Sequence, residues 1–291
     1  MGAILDQLVN GLATGAVYAL VAVGLSLLFK VLDTVNFAHG EFYVLGGVVA
    51  FLAGSVLGLD PISTMLLAAA LMGVIGALLH SLLRGLLKRN PFNVLLATFA
   101  VSLAVLNLVD FAFGGQARTV EPFVTGVVEV GPILITFQRL IAAGGGLIAL
   151  ALIWLWLRRS RSGRSLRAVA DNRLGAQILG INTVNIDRMV FAISGACAGL
   201  AGALLAPVTQ VSAHAGLPVM VTAFVVLVIG GVGSVPGALV GGLLLGAIEG
   251  LTAATLGSLW VSLVGYVLLI TVLFLRPVLE RLRFASKRGA L

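Results

Sequence analysis

NGLATGAVYALVAVGLSLLF, residues 10–29, decides the class of fold. The stretch holds no charge, and Asn10, Thr14, Tyr18 and Ser26 are its only polar side chains. About 20 apolar residues, wound as an α-helix, match the hydrocarbon thickness of a bilayer. Working outward, runs of the same kind fall at about 42–59, 62–83, 93–113, 134–157, 189–208, 218–235, 238–256 and 259–275, which with 8–29 makes nine. Nine spans consume roughly 180 residues, close to the apolar share of this 291-residue chain, which is 60% hydrophobic. Only 10% of residues are charged, against about 25% in soluble domains, and the mean hydropathy is +1.15. These values exclude an ordinary cytosolic enzyme, a disordered chain and a secreted disulfide scaffold. A membrane β-barrel would show short alternating segments instead of continuous apolar runs. The expected fold is all-α, a polytopic transmembrane helical bundle forming a single membrane domain over residues 1–291.

The charges are sorted along the chain. Residues 158–188 carry seven arginines and two aspartates, residues 84–89 carry Arg84, Lys88 and Arg89, and residues 276–291 carry five basic residues and Glu280. Basic loops stay on the cytoplasmic side, so the net charge of +7 reads as topology and not as nucleic-acid affinity. With these segments inside, the connector 114–131 falls outside, the N-terminus is outside and the C-terminus inside. The first run lacks a basic leader and is too long for a signal peptide, so it is expected to remain as a span.

The few polar residues limit the chemistry. Cys197 is the single cysteine, and His39, His80 and His214 are far apart, so neither a disulfide nor a metal cluster is expected. None of Lys30, Lys88 and Lys287 sits in a phosphate-loop pattern, so no nucleotide-hydrolysing site is recognisable. Glycine is patterned at four-residue spacing: Gly11 and Gly15, Gly195 and Gly199, Gly233 with Gly237 and Gly241, and Gly242 with Gly246 and Gly250. Such rows let helix backbones approach closely.

Four features depart from plain apolar helix. Residues 164–182 read as one short amphipathic helix with Leu166, Ala170, Leu174 and Ile178 on a stripe, an Arg167–Asp171 pair one turn apart, and Gly180 ending it. Asn185 is placed to cap the next span. The helix suits either a lipid surface or docking into a partner's groove. Residues 36–42, NFAHGEF, are either a plain turn or a broken helix lining a cavity. Residues 230–242, GGVGSVPGALVGG, cannot be one regular helix, and are either a sharp turn between spans or a broken element where solute crosses. Glu249 lies deep in an apolar run and should face the bundle interior and mark a function or a partner, meeting an amine or a backbone donor, or tying two helices together. Asp110 and Arg139 sit near span ends, where snorkelling or a surface pair suffices.

Nearly the whole chain resembles the LivH-type permeases of branched-chain amino-acid ABC importers. The resemblance rests on residues 10–29, on VNFAHGEFYVLGG at 35–47, on RAVADNRLGAQILGIN at 167–182 and on GGVGSVPGALVGGLLLGAIEGL at 230–251. It implies a bacterial cytoplasmic-membrane subunit of about eight spans. Its implied partners are a second, LivM-like permease, two cytoplasmic ABC ATPases that hold ATP and Mg, and a periplasmic substrate-binding protein. This chain itself would bind no cofactor. The amphipathic segment would be the coupling helix, contacting an ATPase through Arg167, Ala170, Asp171, Asn172, Ala176, Leu179, Gly180 and Ile181. The translocation path would involve Asn36, Phe37, His39, Gly40 and Glu41, then Gly230, Gly231, Gly233, Ser234 and Gly237, and Glu249.

The expected function is therefore a non-catalytic permease subunit of an ATP-driven importer for branched-chain amino acids. Urea, short amides or another small organic solute is the alternative cargo within the same family. From another class, an ion-coupled carrier or channel would use Glu249 or His39 for coupling. An embedded enzyme lacks the clustered groups it would need.

Overall fold

The computed structural model describes residues 2–87, 91–131, 133–272 and 274. In chain order the helices are α1 (Gly2–Leu32), α2 (His39–Ala50, extended by a π-helical turn Phe51–Val56), α3 (Pro61–Leu87) and α4 (Pro91–Phe113). A hairpin of two short strands, β1 (Val127–Val130) and β2 (Ile133–Thr136), precedes α5 (Phe137–Arg159), α6 (Arg161–Asp171) and α7 (Arg173–Ile178). The remainder is α8 (Thr183–Leu205), α9 (Gly216–Gly230), α10 (Val235–Thr255) and α11 (Ser258–Val272). Among the described residues eight helices are long and apolar enough to span a membrane: α1, α2, α3, α4, α5, α8, α9 and α10. The chain is a multi-pass membrane protein. The ninth apolar run begins as α11, and its last residues, like Lys88, Arg89 and the basic tail, lie outside the described residues.

Helices α1 and α8 form the centre. Leu20, Leu25 and Leu28 of α1 and Val190, Phe191 and Leu204 of α8 are fully buried, while α4 and α5 turn most of their apolar side chains outward. Glycine rows set the close contacts, because the dispersion gained by approaching backbones replaces the hydrophobic driving force that lipid removes. A Cβ at Gly11 would meet the Gly246 carbonyl, one at Gly15 the Gly242 carbonyl, and one at Gly250 the Gln7 carbonyl, which seats α10 on α1. On the other side Gly195 abuts the Met72 carbonyl of α3, and Gly202 abuts the Tyr43 carbonyl of α2. The row expected from Gly233 through Gly237 to Gly241 does not form on one helix face. Gly233 stands outside α10 with φ +77, and Gly237 and Gly241 pack on Gly230 of α9.

Side-chain and backbone ties define two ends. At one, Asp6 accepts from Leu134 N (2.6 Å), Arg118 and Val211 exchange backbone bonds (2.9 and 2.8 Å), and Asp110 lies 3.6 Å from His214. Asp60, beside the start of α3 at this end, is held below the usual carboxylate range by the Ser63 hydroxyl and by its hydrogen bond from Ser63 N (3.0 Å). At the other end, Lys30, Arg84, Arg173 and Val232 line one cleft.

Candidate functional site

The basic loop after α5 folds as two helices and not one. Ser160 closes α5 and caps α6, accepting from Gly163 N at 2.8 Å, and a side chain at Gly163 would strike the Trp156 and Leu157 carbonyls. Helix α6 therefore folds back on α5, and Leu166 and Val169 are buried. At Asn172 the backbone turns extended (φ −152, ψ 97), and its side chain accepts from Gly175 N at 2.8 Å to start α7. Ser/Asn capping satisfies donors that a continuous helix would satisfy internally, so this Asn makes the break. The expected stripe is split by it: Leu166 faces inward, whereas Leu174 (68% exposed) and Ile178 (79%) project outward beside Leu179 (81%).

Two further expectations are corrected. Arg167 does not pair with Asp171; it donates to the Leu157 carbonyl, and Asp171 lies 3.7 Å from Lys30 of α1. Asn182, not Asn185, caps α8, accepting from Asn185 N at 3.2 Å. Gly180 does end α7, with φ +80, a conformation that costs any residue with a Cβ. Of the other coupling candidates, Ala176 is buried, Ala170 and Ile181 are half-buried and Asn172 is exposed.

The loop is latched to the bundle by Arg173. Its two terminal nitrogens donate to Asp187 of α8 at 3.0 and 2.5 Å, the fork geometry that suits a carboxylate. Gln177 adds a bond to Thr183 (3.2 Å). Under the latch, α1, α3 and α8 enclose a cleft of about 930 Å³ whose charged lining is Lys30, Asp33, Arg84, Arg173 and Asp187.

The 36–42 segment is a break inside the bundle. His39 bonds the Val21 carbonyl through Nε2 and the Ser194 hydroxyl through Nδ1, both at 2.9 Å. A carbonyl only accepts, so Nε2 carries a proton, and in the singly protonated ring Nδ1 accepts from Ser194. Val21 and Ser194 each stand roughly 16 Å along their helices from the basic end, at about 1.5 Å per residue. Helix α2 therefore starts within the interior, and residues 33–38 carry the chain inward from the end of α1. Asn36 is buried and turns the backbone by accepting from Ala38 N (3.1 Å), and Phe37 N donates to Thr98 (3.2 Å). Gly40 abuts the Gly216 carbonyl, and the Glu41 carboxylate lies against Gly216, so α9 begins at the same depth. Glu41 also accepts from Ser102 of α4 at 2.9 Å. Asn36, His39 and Glu41 are thus packed against neighbouring helices of this chain.

The 230–237 segment is a sharp turn at the basic end. Gly231 and Gly233 take positive φ (85 and 77), Ser234 caps α10 by accepting from Gly237 N (3.0 Å), and Gly233 N donates to Ser26 of α1 (2.5 Å). A side chain at Gly233 would strike the stem of Lys30. Glu249, by contrast, lies in the half of α10 away from the basic end and lines a cavity of about 140 Å³ between α1, α9, α10 and α11.

Sequence reading missed Ser194, Ser102, Thr98, Arg173 and Asp187. The first three are isolated hydroxyls in apolar runs and give no pattern. Arg173 and Asp187 lay in the basic loop, but a pair fourteen residues apart is visible only after Asn172 and Gly180 have turned the chain. Among the described residues no group of His, Cys, Asp or Glu could hold a metal ion.

Comparison with known proteins bears on the whole chain. Residues 7–273 match the family model described as the permease component of the branched-chain amino acid transport system. The chain is 33% identical to the high-affinity branched-chain amino acid transport system permease protein BraD of Pseudomonas aeruginosa, over 94% of each chain. It is 32% identical to the permease protein LivH of Escherichia coli, again over 94% of each. A more distant relative, the galactose/methyl galactoside import permease protein MglC of Haemophilus influenzae, is 23% identical over 80% of this chain and 70% of its own. With helices, glycine seams and loop breaks all inside the matched range, the chain belongs to the family of branched-chain amino acid transport permease components.

Proposed function

We propose that this protein is a membrane permease subunit of an ATP-driven importer for branched-chain amino acids, without catalytic residues of its own. The observation that carries the reading is the family match over residues 7–273, and the outward apolar tip of Leu174, Ile178 and Leu179 supports it. Three exposed aliphatic side chains on a latched, capped turn form the type of surface that a partner's groove buries. The partner is a cytoplasmic ABC ATPase, which holds ATP and Mg. Two such ATPases, a second LivM-like permease and a periplasmic binding protein complete the transporter. The basic end, with Arg84 and the arginines of α5–α7, faces the cytoplasm of the bacterial inner membrane, leaving the N-terminus periplasmic and the C-terminus cytoplasmic.

In this reading, ATP-driven closure of the ATPases moves the α6–α7 hairpin, and the Arg173–Asp187 latch carries that motion into α8. The segments 36–41 and 230–237 together with Glu249 border the path, consistent with helices α2 and α9 starting inside the bundle. The test is purification of the tagged chain in mild detergent, followed by leucine uptake in proteoliposomes with loaded binding protein. ATPase subunits and a second permease should co-purify, and uptake should require ATP. ATP-dependent uptake of urea or a short amide but not leucine would transfer the reading to that cargo. Solute movement by the chain alone without ATP would replace it with a channel or carrier.

A further inference from the structure

Five polar side chains converge on the 140 Å³ cavity: Tyr18 of α1, Thr222 of α9, Glu249 of α10, and Ser262 and Tyr266 of α11. None of the five has a hydrogen-bond partner among the described residues. That sets them apart from their counterparts in the same bundle. Thr14, Thr252, Thr255 and Thr271 each return their hydroxyl to the carbonyl four residues back, at 2.7–3.0 Å. The acidic residues of the spans show the same contrast. Asp6 accepts from Leu134 N, Glu41 from Ser102, Asp187 pairs with Arg173 and Asp110 lies beside His214. Among the acidic residues of the described spans, Glu249 has no such partner.

An intramembrane carboxylate is tolerated where it meets a cation or a polar group, and it marks a pathway or a ligand. Here the hydroxyls around it donate as well as accept, while Val225 and Leu245 supply an aliphatic wall. The volume is in the range of an apolar cavity of about 150 Å³ that takes up a benzene ring. One carboxylate, several free hydroxyls and a branched apolar wall complement an ammonium, a carboxylate and a branched side chain in turn.

We propose that this cavity is a binding site for the zwitterionic amino acid in transit, with the Glu249 carboxylate receiving its α-ammonium group and the hydroxyls of Tyr18 and Thr222 available to its carboxylate. The proposal rests on the amino-acid permease reading above and gives that reading a location. The site lies in the outer part of the bundle: Glu249 stands roughly 9 Å from the end of α10, at about 1.5 Å per residue.

The test uses the transporter reconstituted with its partner permease and ATPases. Ser262→Cys places a reporter thiol on the cavity wall, and Cys197 is buried. Leucine should slow alkylation of that thiol by a maleimide, whereas 4-methylpentanoate, which keeps the carboxylate and the branched chain but lacks the ammonium, should not. In Glu249→Gln the protection by leucine should vanish and the uptake rate should fall about tenfold or more, the factor expected for one charge-assisted hydrogen bond. Glu249→Asp should restore part of both. Equal protection by leucine and 4-methylpentanoate, protection by sodium alone, or unchanged protection in Glu249→Gln would overturn the proposal. Loss of the partner permease on purifying Glu249→Gln would also overturn it, by making the carboxylate a tie between subunits. A wild-type complex that imports no amino acid would instead sink the permease reading itself, a result visible before any substitution is made.

Discussion

Replacing Arg173 with Ala should uncouple ATP hydrolysis from uptake without preventing insertion. The Arg173–Asp187 contact is a two-pronged ion pair with one buried member: the Asp187 side chain is 7% exposed and that of Arg173 41%. Removing one member of a fully buried pair costs about 3–5 kcal/mol, chiefly because the remaining charge is stranded. Arg173 is far enough into solvent that screening reduces this, which leaves about 1–3 kcal/mol. That energy holds α7 in register with α8, so its loss shifts the tip's equilibrium roughly 5- to 150-fold away from the latched position. The assay is the ratio of leucine imported to ATP hydrolysed in proteoliposomes, measured with loaded binding protein. Arg173→Ala should lower that ratio while leaving ATP hydrolysis in place. The double variant Arg173→Ala with Asp187→Asn should be less impaired than the sum of its parts, because the stranded charge is gone. A wild-type ratio in Arg173→Ala, or strictly additive losses in the double variant, would refute the latch.

Two further outcomes follow from other contacts. Ile178→Asp places a charge on a side chain that is 79% exposed, so the bundle should fold and insert, and co-purification should show the ATPase lost while the partner permease is retained. Gly246→Leu should lower the thermal unfolding midpoint in detergent by an amount corresponding to about 1–3 kcal/mol of overpacking, since a Cβ there meets the Gly11 carbonyl and lies 2.8 Å from Gly15 Cα. Gly144→Ala, with open space at the same atom, should leave the midpoint near wild type.

The architecture was readable because the bilayer demands it. Every spanning segment must satisfy its own backbone polar groups, so apolar runs translate into helices with errors only at their ends. The run at 134–157 shows such an error: Ile133–Thr136 is a strand paired with Val127–Val130, and α5 starts at Phe137. Glycine spacing was equally legible for Gly11, Gly15, Gly242, Gly246 and Gly250, since regular helices carry a four-residue row on one face. It misled at Gly233, which with Gly231 takes a positive φ in the turn before α10 and so stands off the helix that carries Gly237 and Gly241. The loop helix was read as continuous because its apolar period is uninterrupted. Periodicity cannot weigh a capping bond, and the Asn172 side chain decides against it. The buried polar ties were least legible. A lone Ser or His in an apolar run has no partner in sequence, and His39 meets Ser194 across 155 positions.

The Arg173–Asp187 and His39–Ser194 ties share one element, and that explains how the loop and the interior are joined. Helix α8 holds Asp187 for the latch in its first turns, Ser194 for His39 near its middle, and Gly195, Gly199 and Gly202 for the carbonyl contacts with α3 and α2 beyond. Its packing is backbone to backbone, with little side-chain play to absorb a displacement. A shift of α7 that pulls on Asp187 therefore moves α8 as a rod. His39 takes that motion to the start of α2, which stands against Gly216 at the start of α9. Helix α9 carries Thr222 on the wall of the Glu249 cavity. The chain from Arg173 to the wall of the Glu249 cavity thus runs through three contacts between rigid elements, each resting on a bond or a glycine that a single substitution removes. Breaking the middle of that chain with Ser194→Ala should loosen the link between the cavity and the loop while both ends stay intact. In the Ser262→Cys background, ATP should then no longer change the rate at which the thiol is alkylated, although leucine still protects it. If ATP changes the rate as in the parent, the motion reaches α9 by another route.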